Sequence, residues 1–142
     1  MARIRLQLPE IFSFTCTLPV RITDINYGGH AGNDTILSLI HEARMQFLQS
    51  LGYTEMRFAG AGMIMADVSI EFKSELFYGD LVIASVTPGE LSRIGFELYY
   101  KLEKETAGKR TAVAHAKTSM ICYDYDKKKI IPLPEEARGM MM

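Results

Sequence analysis

The sequence is short of the features that mark several large classes of protein. It has two cysteines in 142 residues, Cys16 and Cys122, which form neither a CxxC pair nor a disulfide framework and read as ordinary buried thiols. Charge of neither sign dominates: sixteen Lys plus Arg stand against seventeen Asp plus Glu, a net charge of −1, and the only basic run is Lys127-Lys128-Lys129. Nucleic acid is therefore not expected as a partner, since phosphate binding calls for a basic excess. The longest weakly polar stretch, Phe58 to Ala66, falls far short of the ~20 apolar residues that span a bilayer. The opening MARIRLQLPEIF carries arginines but no continuous apolar segment and no small-residue cleavage site, so a cytoplasmic location is expected. There is no GxGxxG or GKT turn, and His30, His41 and His115 lack the spacing of zinc ligands, so neither a cofactor nor a metal is expected.

What is present is one domain's worth of alternating apolar pattern. Set against about 150 residues per domain, the chain is a single domain, 1–142, and its 48% hydrophobic content is enough for one core. Phe12, Phe14, Cys16, Leu18, Val20 and Ile22 alternate with polar neighbours and predict a half-buried strand, with Pro19 favouring an edge or a bulge. Residues 23–33, TDINYGGHAGN, hold three glycines among Asp, Asn and His, the chemistry of a sharply turning loop. Asn33 or Asp34 offers an N-cap to a helix in which Ile36, Leu37, Ile40, Phe47, Leu48 and Leu51 recur at three- and four-residue spacings up to Gly52. Leu39, Ala43 and Met45 widen its apolar stripe, which predicts a helix covered on more than one side.

Four further strands follow. Ile64, Ala66, Val68, Ile70 and Phe72 form the apolar parity of Met63–Lys73, and Tyr78-Gly79-Asp80 leads into a strand through Val86. Ser92–Glu103 and Arg110–Tyr125 flank a polar hairpin turn containing Gly108. The tail IIPLPEEARGMMM shows no clear periodicity and is expected to be partly mobile beyond about residue 136. The order predicts an α+β fold with one long helix against five antiparallel strands. One helix cannot cover both faces of such a sheet, so a homo-oligomer is expected.

Chemistry concentrates in the loop. Asp24, Asn26, His30, Asn33 and Asp34 fall within eleven residues, at the start of a helix whose free N–H groups and dipole suit an oxygen gaining negative charge. A nearby carboxylate or histidine could activate water or attack directly. The alternative is that Asp24 and Asn26 satisfy turn backbone, His30 packs and Asn33 or Asp34 caps the helix.

The segment Val20 to Leu48 resembles the signature of hotdog-fold thioesterases of the 4-hydroxybenzoyl-CoA thioesterase type, R-x-x-D-x-D-x-x-G-H-V-N-N followed by a helix bearing E-A-R. Arg21, Asp24, Gly29, His30, Asn33, Glu42, Ala43 and Arg44 fall in register without a gap. Ile70-Glu71-Phe72, Tyr78-Gly79-Asp80, Ala112–Tyr123 and Pro132-Leu133-Pro134-Glu135-Glu136 resemble it as well. The resemblance implies a long helix wrapped by a five-stranded sheet. It also implies hydrolysis of an acyl-CoA or acyl-carrier-protein thioester at a site shared between loop and strands of two subunits, in a homodimer or homotetramer. Where the family's loop supplies the catalytic carboxylate, this chain has Asn26. The catalytic candidates are then Asp24, Asn26 orienting water, His30, Glu42 beside His41 on the helix, and Asn33 through its backbone N–H. Gly29, Met63, Met65 and Arg93 are the substrate-contact candidates, with Tyr53 and Phe58 near the acyl group and Lys73, Arg110 and Lys117 as further phosphate partners. A non-catalytic acyl-thioester binder, its chemistry lost at Asn26, is the alternative.

Overall fold

The computed structural model describes residues 3–142. Strand β1 (Phe14–Pro19) enters a 3-10 turn (Ile22–Asp24) and the glycine loop, then helix α1 (Asn33–Ser50). β2 (Gly62–Phe72), β3 (Leu81–Leu91), β4 (Gly95–Thr106) and β5 (Lys109–Asp124) follow, then the two-residue β6 (Lys129–Ile130) and helix α2 (Glu135–Met141). The sheet is antiparallel in the order β1-β3-β4-β5-β2, with β6 on β5, so it has six strands rather than the five the alternation predicts. β6 is too short to leave a periodic signature.

The even-numbered face of the central strands is dry: Val82, Ala84 and Val86, Leu98, Tyr100 and Leu102, and Ala114 and Ala116 are buried. Against it α1 lays Ile36, Leu39, Ile40, Ala43, Phe47 and Leu48, the stripe that its three- and four-residue spacing builds. Each buried Leu or Ile contributes about 1.5–3 kcal/mol of transfer free energy, so this layer carries the fold. The helix stops where Gly52 takes φ +84°.

Several details differ from the sequence reading. Ile22 is exposed, because the strand ends at Pro19 and the chain turns. The apolar parity of β2 is not the buried one: Met63 is buried, whereas Ala66 and Phe72 are exposed and Val68 is half-buried. A bulge between Met65 and Asp67 shifts the register against β5, and β2 is an edge strand with a neighbour on one side only. The tail, without clear periodicity in the sequence, forms a helix, α2, with Ala137 and Met141 buried and the Tyr53 hydroxyl donating to Glu136 at 2.7 Å. Seven residues after a proline are too few for helical periodicity to stand out in the sequence.

The β4–β5 hairpin turns on Ala107-Gly108, with φ of 53° and 78°. Both central residues of this turn need left-handed backbone, and a Cβ makes that costly for Ala107. Ala107→Asn is expected to raise stability by about 0.5–1 kcal/mol, since Asn tolerates the conformation without glycine's unfolded-state entropy. A urea denaturation midpoint unchanged or lowered would contradict this.

Candidate active site

The glycine loop folds on its own hydrogen bonds. Asp24 spends its carboxylate on the 3-10 turn: Oδ2 accepts the Arg21 N–H at 2.8 Å, and the Arg21 guanidinium lies 3.5 Å from Oδ1. Its carbonyl accepts the Thr35 hydroxyl at 3.0 Å, which ties the turn to the first turn of α1. Asn26 makes an Asx turn, Oδ1 accepting the Gly28 N–H at 2.9 Å, while its backbone N–H donates to the His30 carbonyl at 3.0 Å. The N-cap of α1 is Gly32, one residue before the Asn33 or Asp34 that the sequence suggests. Asn33 is already helical, at the exposed first turn, where its N–H belongs to the unpaired set of a helix start.

Two glycines set the spacing of the polar groups. A Cβ on Gly28 would sit 3.2 Å from Asn26 Oδ1 and 3.5 Å from His30 Nε2, so this glycine keeps a small opening between the two side chains. A Cβ on Gly32 would meet Asp34 Oδ1 at 2.7 Å and Asn26 Nδ2 at 3.3 Å. The Asn26 amide is thus bracketed, oxygen toward Gly28 and His30, nitrogen toward Gly32 and the Asp34 carboxylate. An aspartate at this position would face Asp34 with a second negative charge, which an amide N–H does not. Gly29 has φ +84° and lends the loop its turn rather than a side-chain-sized opening.

His30 has a defined proton arrangement. Nδ1 lies 3.0 Å from the Ala31 carbonyl oxygen, which can only accept, so Nδ1 bears the hydrogen and Nε2 of the neutral ring bears a lone pair. Nε2 is 3.9 Å from Glu75 Oε1, and Glu75 reaches the loop because the Ala31 N–H pairs with the Leu76 carbonyl at 2.8 Å. Glu75 and Asp34 are site residues that the sequence reading did not assign to catalysis; Glu75 lies more than forty residues from the loop, and only the Leu76 contact brings it there.

The other candidates lie elsewhere in the chain. Glu42 is on the β1 side of α1, its carboxylate accepting from Gln46 Nε2 at 2.9 Å, and it shares a groove of about 430 Å³ with Asp24, Arg21 and Ser38. His41 points to Glu55, 2.6 Å away. Met63 is buried, with its carbonyl accepting the Tyr125 hydroxyl at 3.1 Å, and Phe58 and Tyr53 are core residues stacked edge to face. Met65 is partly exposed, its sulfur 4.0 Å from the Arg44 guanidinium. Arg93 sits in the β3–β4 turn, where its carbonyl accepts the Leu133 N–H. Met63, Met65 and Arg93 therefore lie at the end of the sheet opposite the loop, about 20–30 Å away along the strands at 3.3 Å per residue, and do not join His30 within one chain. Lys117 and Arg110 are paired with Glu97 and Glu103 across the outer face.

Beneath the helix lies a buried polar chain. Arg44 donates to Glu55 at 3.1 Å and to the Tyr100 hydroxyl at 3.3 Å, and Tyr100 is 2.7 Å from Thr118 Oγ1. Burial pushes the Tyr100 phenol up, against the pull of Arg44, so it stays protonated within a pair of hydroxyls in which either Tyr100 or Thr118 can donate. The Cys122 thiol is pushed up to about 11 by burial, which makes it unreactive at neutral pH. Among the described residues no group of three His, Cys, Asp or Glu is arranged to hold a metal, and no helix is long and apolar enough to cross a membrane.

Comparison with known proteins agrees with this architecture. Residues 20–140 match the family model of the thioesterase-like superfamily. The chain is 31% identical over 106 residues to a 1,4-dihydroxy-2-naphthoyl-CoA hydrolase of Microcystis aeruginosa, covering 72% of this chain and 74% of that protein. It is 28% identical over 120 residues to the hydrolase of the same name from Thermosynechococcus vestitus, covering 82% and 80%. An Asp-to-Asn mutant of 4-hydroxybenzoyl CoA thioesterase, complexed with 4-hydroxybenzoyl CoA, superposes with a TM-score of 0.82 over 91% of this chain and 98% of that one at 16% identity, which shows the shared fold. With its single long helix laid across an antiparallel sheet and the family match running from just after β1 into α2, the chain belongs to the thioesterase-like superfamily, hotdog-fold hydrolases of thioesters.

Proposed function

We propose that this protein hydrolyses an acyl-CoA thioester by attack of a water molecule held between Asn26 and His30. The observation that carries the reading is the His30 tautomer: the Ala31 carbonyl takes the Nδ1 hydrogen and leaves Nε2 as a free base beside the opening at Gly28. His30 accepts the proton of the attacking water, and the Glu75 carboxylate stabilises the imidazolium that results. Asn26 orients the water without deprotonating it, and the Asn33 backbone N–H, at the positive end of α1, receives the oxyanion of the tetrahedral intermediate. Asp24 holds the turn in place. The proton then passes from His30 to the departing thiolate. The aromatic thioesters in the names of the relatives make an aryl-CoA the first substrate to try.

The protein works as a homodimer through β2 in this reading. An eleven-residue edge strand with unpaired backbone groups and exposed Met65, Ala66 and Phe72 is a template for a second copy. Antiparallel pairing of two β2 edges about a two-fold axis near Val68 sets Met63 and Met65 of one copy beside residues 71–73 of the other, and so brings the methionines toward the loop that one chain alone keeps apart. Methionine adapts its shape to an acyl group at such a junction. Val68→Lys places two ammonium groups face to face across the axis and is expected to yield a monomer by sedimentation with at least tenfold lower activity; a fully active monomer would remove the shared site.

Thiol release from short, long and aromatic acyl-CoAs tests the hydrolysis itself. Turnover by the native chain, lost in His30→Ala, is the expected result. A native chain that binds an acyl-CoA without turnover and becomes active only as Asn26→Asp would overturn it in favour of a non-catalytic binder.

A further inference from the structure

One cavity lies outside the loop. The N-terminal segment crosses the outer face of the sheet, away from α1: the Leu6 N–H donates to Glu71 Oε1 at 3.2 Å, and the Phe12 ring lies 4.9 Å from the Lys101 ammonium. Glu71, His115 and Lys101 are direct cross-strand neighbours on β2, β5 and β4, so the segment runs along one row of the sheet. Between it and the end of β2 is a space of about 570 Å³, lined by Arg3, Arg5, Lys73, His115, Glu71 and Leu6 among others. That volume is in the range of small-molecule sites.

We propose that this cavity binds the phosphate groups at the nucleotide end of a CoA thioester; the inference rests on the hydrolysis reading above and gives its substrate a second point of attachment. Three cationic side chains face one carboxylate. The Glu71 carboxylate is already engaged by the Lys73 ammonium at 2.9 Å and by the Leu6 N–H, and these partners hold it below the usual carboxylate range. Among the described residues Arg3 and Arg5 have no ion-pair or hydrogen-bond partner, so two guanidinium groups are available at the rim. Guanidinium forks match phosphate oxygens two at a time, which lysines do not. Burial, with the neighbouring Lys73 ammonium, pulls His115 down from its ordinary value, so at neutral pH the ring lines the cavity as an uncharged group. An acyl chain would gain little from such a lining; a polyanion would gain most.

The position suits CoA. Lys73 is two residues, at most about 7 Å of chain, from Glu75, whose carboxylate faces His30. The cavity thus opens at the same end of the sheet as the glycine loop, where a pantetheine arm would join a thioester at Gly28 to phosphates at Arg3 and Arg5. The N-terminal segment acts as a strap whose two arginines meet the ligand.

The test uses the full chain and adenosine 3′,5′-bisphosphate, which carries phosphates but no thioester. Calorimetric binding is expected for the native chain, weakened tenfold or more in Arg3→Gln with Arg5→Gln and only partly restored by Arg3→Lys with Arg5→Lys, which return the charge without the fork. In kinetics, the same acyl group on CoA and on pantetheine should differ at least tenfold in KM with similar kcat, and the double Gln variant should erase that difference. Bisphosphate binding that is absent, or equal in the native chain and the double Gln variant, overturns the proposal. So does a selective effect of the arginines on an acyl-carrier-protein substrate with none on CoA. Arginine-dependent bisphosphate binding without turnover of any thioester would uphold the phosphate site and sink the hydrolysis reading instead.

Discussion

His30→Ala is expected to lower kcat by about 10²–10⁴-fold, the usual contribution of a positioned general base, with stability changed by no more than about 1 kcal/mol. The ring is partly exposed and makes one hydrogen bond to its neighbour's carbonyl, so its removal leaves no buried group unpaired. Glu75→Gln should have a smaller effect, since at 3.9 Å the carboxylate stabilises the imidazolium without contacting the substrate. A His30→Ala protein with unchanged kcat would move the chemistry to Asp34, the other ionisable group beside Asn26.

Arg44→Ala is expected to be the most destabilising single change at a polar residue, costing about 3–5 kcal/mol in urea unfolding. Arg44 is 4% exposed and joins helix, loop and two strands through Glu55, Tyr100 and Thr118. Removing it leaves the Glu55 carboxylate, itself largely covered, with only His41, and opens space beneath α1. Arg44→Met combined with Glu55→Gln should recover part of the loss, because it removes the stranded charge and keeps the volume. If Arg44→Ala costs less than about 1 kcal/mol, Glu55 regains water without rearrangement and the network is not a structural tie.

The same network explains why Glu42-Ala43-Arg44 carries two separate jobs. Arg44 turns inward to the sheet and Ala43 is fully buried against it, whereas Glu42 faces the opposite side with Gln46. At 3.6 residues per turn, three consecutive helical residues point in three directions, so a carboxylate next to a buried arginine lines a different surface, here the groove it shares with Asp24 and Arg21.

Much of the chain was legible because period alone fixes it. The three- and four-residue spacing of Ile36, Ile40, Phe47 and Leu48 defined α1, and the alternation Phe96, Leu98, Tyr100, Leu102 defined the dry face of β4, since a side chain's direction along a regular element depends only on that element's repeat. The reactive loop was legible too, from glycine, histidine and amide residues crowded before a helix. What the sequence could not carry were relations between distant segments. The bulge at Met65 and the edge position of β2 depend on its single neighbour β5, Glu75 meets His30 only because Leu76 pairs with Ala31, and Met63 and Arg93 lie a sheet's length from the loop because strand direction alternates. Local pattern determined the elements and the chemistry each could offer; the antiparallel pairing of strands, a long-range choice made by packing, decided which of those groups stand together.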